Sequence, residues 1–334
     1  MNILTLGGGK AQRYLLLALR LLRTTLPNLK IRAGPATTDN GGSSFSWRDA
    51  YGIPAPGDIA QCVYGLHPDQ RGAEHTFTYR FAAGKWAGDT LRNAIVASYL
   101  ERYGSNQQAI DRLGEDYKLV GRVVPVTFTS SDVAAHTNSG VTLVAEDLIY
   151  KSDLHKYGGV SSIELLPRAE PNPALLEEIG TADVVIVSAG GLRVSIEPCF
   201  LVRGVTQALQ RSGALKIFVA NLVHQPGQVP VEWEVPDYVE YLEKYYLGED
   251  FFQAIVCNTG ELPQTLVAEG VAPVLPGSPS RLKGRLVCST SLIAPYVKEQ
   301  KGADVLAPLR SPVHHDPVLV AAALEKVWRE WAAI

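Results

Sequence analysis

The chain has 334 residues, of which 46% are hydrophobic and 19% charged, and its formal net charge is −3. That length suits one large α/β domain or two smaller ones with a sizeable core. A near-neutral balance without a basic run excludes an electrostatic nucleic-acid binder, and no uncharged apolar run approaches the roughly 20 residues that span a bilayer. Cys62, Cys199, Cys257 and Cys288 lie far apart and form no CxxC pair. They read as reduced, buried thiols of a cytoplasmic protein.

In chain order, "NILTLGGG" is a short apolar run ending in three glycines, and "KAQRYLLLALRLLRTTLP" places Leu15, Leu19 and Leu22 at helical spacing before Pro27. The pattern predicts strand, glycine turn, helix. The apolar "YLLLALRLL" follows this turn, is broken by Arg20 and precedes no small-residue cleavage site, so it is not read as a signal peptide. "NLKIRAGPATTDN" predicts the next strand, followed by the loop "TTDNGGSS". "PGDIAQCVYGL" predicts a helix with Asp58 at its N-cap, and "AGDTLRNAIVASYLERYG" another helix. "KLVGRVVPVTF" and "SGVTLVAEDLIY" predict an antiparallel pair. Farther on, "VVIVS", "ALKIFVANLVHQPG" and "FFQAIVCN" read as buried strands. They alternate with the helices "PNPALLEEIG", "FLVRGVTQALQRSG" and "PDYVEYLEKYYLG". "HHDPVLVAAALEKVWREWAA" closes the chain as a helix, with Asp316 capping it and Pro317 at its first position. The alternation predicts an α/β, Rossmann-like fold: one domain over 1–334, with a mostly parallel sheet, helices on both faces and a small mixed-strand insertion near 70–150.

In such a sheet, ligands bind beyond the carboxyl ends of the strands. Four polar loops follow predicted strands: "GGGK" at 7–10, "TTDNGGSS" at 37–44, "SAGGLRVS" at 188–195 and "NLVHQPG" at 221–227. Glycines between a strand and a helix let backbone N–H groups face an anion at the positive helix end. The first loop matches neither common phosphate motif. Gln12 stands where G-x-G-x-x-G needs its third glycine, and Leu4 and Ala11 break the Walker A pattern. By itself, "GGGK" could equally be a tight turn with close helix packing. There is no G-x-S-x-G motif and no electropositive cysteine loop, so covalent catalysis is not indicated.

Together the loops are more specific. "GGGKAQRYLLLALR", "TTDNGGSSFSWRDAYGIPAPGDIAQCVYGL", "GDTLRNAIVASYL", "GRVVPVT", "TADVVIVSAGGLRVSIEPCFLVRGV", "ALKIFVANLVHQPGQ" and "HHDP" occur in one order over most of residues 3–317. In these stretches the chain resembles the YvcK-type gluconeogenesis factors and, more distantly, the CofD-like 2-phospho-L-lactate transferases. The resemblance implies a Rossmann-like core that binds phosphate-bearing nucleotides. Its matches are uneven. Gly7, Gly8 and Gly9 fit a GGGTG loop, but Lys10 and Ala11 replace Thr and Gly. Asp39, Asn40, Gly41, Gly42, Ser43 and Ser44 fit DDGGSS with one acid turned into an amide. Pro56, Gly57 and Asp58 fit PPGD. Gly88 and Asn93 fit GHSxGN, with Asp89 and Arg92 as replacements. Ser188, Gly190, Gly191, Arg193 and Ser195 occupy a GPGSLYTSI stretch, and Asn221, Gln225, Pro226 and Gly227 an NxxTQPG stretch.

Lys10, Arg92 and Arg193 thus add positive charge where the family has neutral residues. The expectation is an anionic ligand held by side-chain charge as well as backbone amides. Asp39 and Asp58 are the expected catalytic residues. Asp39 could orient a hydroxyl, hold Mg²⁺ on a diphosphate or act as a base; it could also simply close an Asx-turn. The expected ligand-binding residues are Gly7, Gly8, Gly9, Lys10, Asn40, Gly41, Gly42, Ser43, Ser44, Asn93, Ser188, Gly190, Gly191, Arg193, Ser195, Asn221 and Gln225. No metal site is expected from the chain's own residues and no cofactor is required; Mg²⁺ could accompany the ligand. The partner is a small nucleotide or nucleotide-sugar rather than a nucleic acid or membrane, with self-association left open. The resemblance implies a regulatory nucleotide binder of carbon or cell-envelope metabolism. Its alternative is a transferase that moves a phosphate-bearing group from a nucleoside diphosphate carrier to an alcohol.

Overall fold

The run Val184–Val187 is buried at every position, and so is Leu215–Val219. A strand with no exposed face must have a layer on each side, which is the condition of a parallel sheet covered by helices. The computed structural model describes residues 1–225, 228–295 and 311–333. Its main sheet has seven strands: β1 (Asn2–Gly7), β2 (Lys30–Pro35), β3 (Arg122–Val123), β7 (Val184–Val187), β8 (Leu215–Val219), β9 (Ala254–Asn258) and β10 (Leu286–Thr290). Every pairing in it is parallel, in the order β10-β9-β8-β7-β1-β2-β3.

The period-two alternation of strands divides the core. Ile3, Ile31, Val184, Ile186 and Ile217 face one apolar cluster, while Leu4, Leu6, Val185, Val187 and Phe218 face another. The first cluster is closed by α1 (Gly9–Thr25), which packs on α3 (Pro56–Leu66) and on the last helix, Pro317–Trp331. Between them in sequence, α2 (Ser43–Tyr51) follows the loop after β2. The chain fills the β2–β3 side first, then returns past β1 to lay down β7 through β10. The order reverses between β1 and β7. Such a switch point opens a crevice at the carboxyl ends of the strands.

Outside this frame, β4 (Asp132–Thr137) pairs antiparallel with β5 (Thr142–Val144) and β6 (Val160–Leu166). The expected antiparallel pair is therefore corrected. Arg122–Val123 joins the edge of the parallel sheet instead, and "EDLIYK" is the helix Glu146–Lys151. Residues 70 to 116 carry three helices, Gln70–Phe77, Leu91–Tyr103 and Gln107–Asp116, and the small sheet extends to Leu166, beyond the expected boundary near 150. "FLVRGVTQALQRSG" is not one helix: a helix Glu197–Leu201 ends before the helix Val205–Arg211 begins. Among the described residues no helix is long and apolar enough to cross a membrane.

Candidate functional site

A cleft of about 370 Å³ lies over the switch point. The loops after β1, β2, β7 and β8 all line it, joined by the first turns of α3 and by residues 80–93. Of the expected residues, Gly8, Gly9, Lys10, Asp39, Gly41, Gly42, Ser43, Ser44, Asp58, Asn93, Gly190, Gly191, Ser195, Asn221 and Gln225 are on its wall. The three-glycine corner and the Asp39 segment, 30 residues apart in the chain, share one hollow. Pro226 and Gly227 lie outside the described residues.

The β1 corner explains its glycines directly. A Cβ on Gly7 would sit 2.1 Å from Ser188 Oγ, and one on Gly8 would sit 2.2 Å from Asp58 Oδ2. The Gly9 N–H donates to Asp58 Oδ1 at 2.8 Å. Asp58 therefore does not cap its own helix, whose N-cap is Ala55 without a side-chain bond. Instead it caps α1 from across the cleft, placing a carboxylate at the positive end of that helix. The β7 corner is held differently. Gly190 N–H donates to Asn221 Oδ1, and Asn221 Nδ2 donates back to Gly190 O, both at 2.7 Å.

The Asp39 loop is tied together from within. Asp39 Oδ1 accepts the Gly41 N–H at 2.9 Å, which is the Asx-turn bond, and Oδ2 accepts the Ser44 hydroxyl. Ser43 Oγ accepts from the Thr90 N–H at 2.9 Å and from Asn93 Nδ2 at 3.1 Å. Asn93 and Ser43 thus fasten this loop to the helix Leu91–Tyr103.

Four expected ligand residues stand behind the wall. Gly7 and Ser188 fill the contact between β1 and β7. Asn40 points away, with its Nδ2 on Asp132 Oδ1 at 2.6 Å. Arg193 is the clear correction. Its side chain is 6% exposed and is paired at 2.7 Å with Glu197, which is fully buried. Tyr241 and Tyr246 also donate to Glu197, at 2.7 and 2.9 Å. A buried guanidinium needs a carboxylate more than a ligand, so Arg193 anchors the π-turn Leu192–Ile196 after the β7 corner.

The sequence reading missed a set of wall residues: Tyr14, Arg80, Glu146 and Asp147. Tyr14 was within reach, since it lies four residues after Lys10 and so shares its helix face. Glu146 lies in "SGVTLVAEDLIY", whose alternation predicts a strand, and belongs to no motif. Its carboxylate accepts the Asn40 N–H at 3.1 Å. Removal from water pushes its carboxyl well above the usual range, and the Asp39 and Asp58 carboxylates push it further. Burial likewise raises Asp89, against hydrogen bonds from Ser46 and Ser43.

The hollow is therefore not simply electropositive. Among the described residues Asp39, Asp58, Asp89, Glu146 and Asp147 line it against Lys10, Arg80 and Arg92. Acidic and basic side chains therefore share the wall. No described group of three or more His, Cys, Asp or Glu is arranged to hold a metal ion. Of the terminal "HHD", His315 is buried with Nε2 3.1 Å from Ala220 O, and Asp316 caps the last helix through the Val318 and Leu319 N–H groups.

Known proteins place the chain. The gluconeogenesis factor of Bacillus subtilis is 27% identical over 79% of this chain and 81% of its own. A Thermotoga maritima protein provisionally named a gluconeogenesis factor is 30% identical over 98% of this chain and all of its own. A crystal structure of a UPF0052 family member from Bacillus halodurans, 24% identical, shares the fold with a TM-score of 0.82 over 97% of this chain and 98% of that one. The profile of the family described as "2-phospho-L-lactate transferase CofD" matches residues 3–278. That profile covers most of the chain, and the chain belongs to the 2-phospho-L-lactate transferase CofD family.

Proposed function

We propose that the cleft binds a nucleotide or nucleotide-sugar through its diphosphate. The supporting observation is that two glycine corners, Gly7–Gly9 and Ala189–Gly191, flank the point where strand order reverses. Lys10, Arg80 and Arg92 line the same cleft and would supply positive charge to a diphosphate there. Because Asp58 already occupies the Gly9 N–H, anion recognition leans on these side chains more than on the α1 amides. Mg²⁺ arriving with the diphosphate would meet Asp39 and its neighbouring carboxylates. The names of the relatives support a regulatory role in carbon metabolism for such a binder.

The carboxylates beside the phosphate position favour one second reading, transfer to an alcohol. The acceptor oxygen would form a bond to phosphorus, the bridging P–O bond would break and a nucleoside monophosphate would leave. Asp39 would take the hydroxyl proton.

Native mass spectrometry of the purified protein for a co-purified nucleotide tests the first reading. A titration with UDP, GDP and a UDP-sugar, with and without Lys10→Ala, extends it. Binding that weakens in the variant supports the reading. No binding by the parent protein overturns it. Release of a nucleoside monophosphate with an alcohol acceptor would replace it with the second.

A further inference from the structure

The cleft has two unlike ends, and the sheet order fixes which is which. It crosses the ends of β8, β7, β1 and β2, three inter-strand spacings or about 14 Å. At the β2 end the wall is hydroxyl and carboxyl: Asp39, Ser43, Ser44, Thr90 and Glu146. At the β8 end apolar and aromatic side chains join the wall, Leu222 and Val223 from the loop after β8 with Val313, His314 and Tyr14, beside the uncharged polar Asn221, Gln225 and Ser311. His314 belongs to this end because its neighbour His315 is bonded to Ala220 O, at the carboxyl end of β8. The His314 ring stacks on Tyr14 with centroids 4.9 Å apart and an interplanar angle of 20°. On Tyr14 in turn lies the Arg13 guanidinium, at 4.7 Å, which also covers Tyr64 at 4.7 Å. The stacked ring and the guanidinium together restrain the plane of Tyr14.

Resting on the nucleotide reading above, we propose an orientation for the ligand. Its planar base packs against the Tyr14–His314 pair at the β8 end, its phosphates cross the glycine corners, and its sugar or acceptor hydroxyls meet the carboxyls at the β2 end. The chemistry separates cleanly along this line. A heteroaromatic ring gains from stacking on aromatic side chains whatever its edge pattern. A polyhydroxyl group gains from carboxylate acceptors and has nothing to gain from Leu222 and Val223. Lys10 and the glycine turns lie between the two, while Arg80, bridged to Thr90, and Arg92 stand on the β2 side.

The test separates this inference from the reading beneath it. UDP, GDP and ADP are titrated alongside inorganic pyrophosphate, which has no base. At least one nucleoside diphosphate is expected to bind more tightly than pyrophosphate. In His314→Ala that affinity is expected to fall roughly ten-fold, and in Tyr14→Ala by a similar factor, with pyrophosphate binding unchanged. His314→Phe, which keeps a stacking ring, should retain most of the affinity. Both residues are only partly buried, so the variants are expected to fold. Unchanged nucleoside diphosphate affinity in both alanine variants would place the base elsewhere while leaving the diphosphate site standing. An equal loss for pyrophosphate, or no preference for the nucleotide in the parent protein, would also overturn the orientation. Failure of the parent protein to bind any of the four would remove the nucleotide reading, and the orientation with it.

Discussion

The two glycine corners at the switch point solve one problem by opposite means. Each ends a buried parallel strand and leaves backbone groups that need partners. At the β1 corner the partner is a charge, Asp58, reaching from α3 to the Gly9 N–H. At the β7 corner it is a neutral amide, Asn221, exchanging two bonds with Gly190. The turn after the β7 corner is then braced by the buried Arg193–Glu197 pair. The β1 corner thus depends on a charge in the cleft wall, and the β7 corner on a neutral amide in the wall with an ion pair buried behind it.

Four measurements break or sharpen this contrast. The largest effect is expected behind the β7 corner. Glu197→Ala strands the Arg193 guanidinium without its partner and is expected to cost about 3–5 kcal/mol by urea unfolding. An Arg193→Met, Glu197→Leu double variant should recover much of that loss, whereas equal losses in the two proteins would mean the pair is not the brace. Next is Gly8→Ala, whose methyl meets Asp58 Oδ2 at 2.2 Å and Ser195 Cβ at 3.2 Å. It is expected to cost about 1–3 kcal/mol and less in an Asp58→Ala background, so additive losses would show that Asp58 is not what crowds Gly8. Asp58→Asn removes the charge from the end of α1 and should cost roughly 1 kcal/mol. A stability gain in that variant would mean that repulsion from Glu146 and Asp39 outweighs the cap.

The fourth measurement is a slope. A carboxyl held above its unfolded value keeps its proton in the folded protein while the unfolded chain has already lost it. Stability is then unaffected below the ordinary value of 4.5 and falls as pH rises from there toward the raised folded value. Glu146→Gln should flatten the decline of unfolding free energy above pH 4.5 by up to one proton's worth. A profile identical to that of the parent would assign the decline to Asp89 or elsewhere.

Local pattern made much of this molecule readable. The apolar run before Gly7, the helical spacing of Leu15, Leu19 and Leu22 and the unbroken Val184–Val187 run each carry their structure within a few residues. The convergence of the loops followed from the parallel sheet, because all its strands end on one edge. What stayed hidden depends on residues distant in sequence. Asp58 looks like a cap for its own helix until α1 is placed beside it. Arg193 looks like a ligand for phosphate until Glu197, Tyr241 and Tyr246 surround it. Glu146 sits in "VAEDLIY", where alternation favours a strand, and only contact with Asn40, 106 residues earlier, brings it to the cleft. β3 has two residues, too few for any period to show.

The central position of β1 has a consequence for how this protein must be made. One edge of β1 meets its partner early, since Ile3 pairs with Ile31, but the other waits for Val184. During synthesis a growing chain carries an apolar strand with an unsatisfied backbone edge for some 150 residues of translation, an aggregation hazard of the kind cells meet with chaperones. Fragments that stop before β7 should therefore be insoluble however well their helices form.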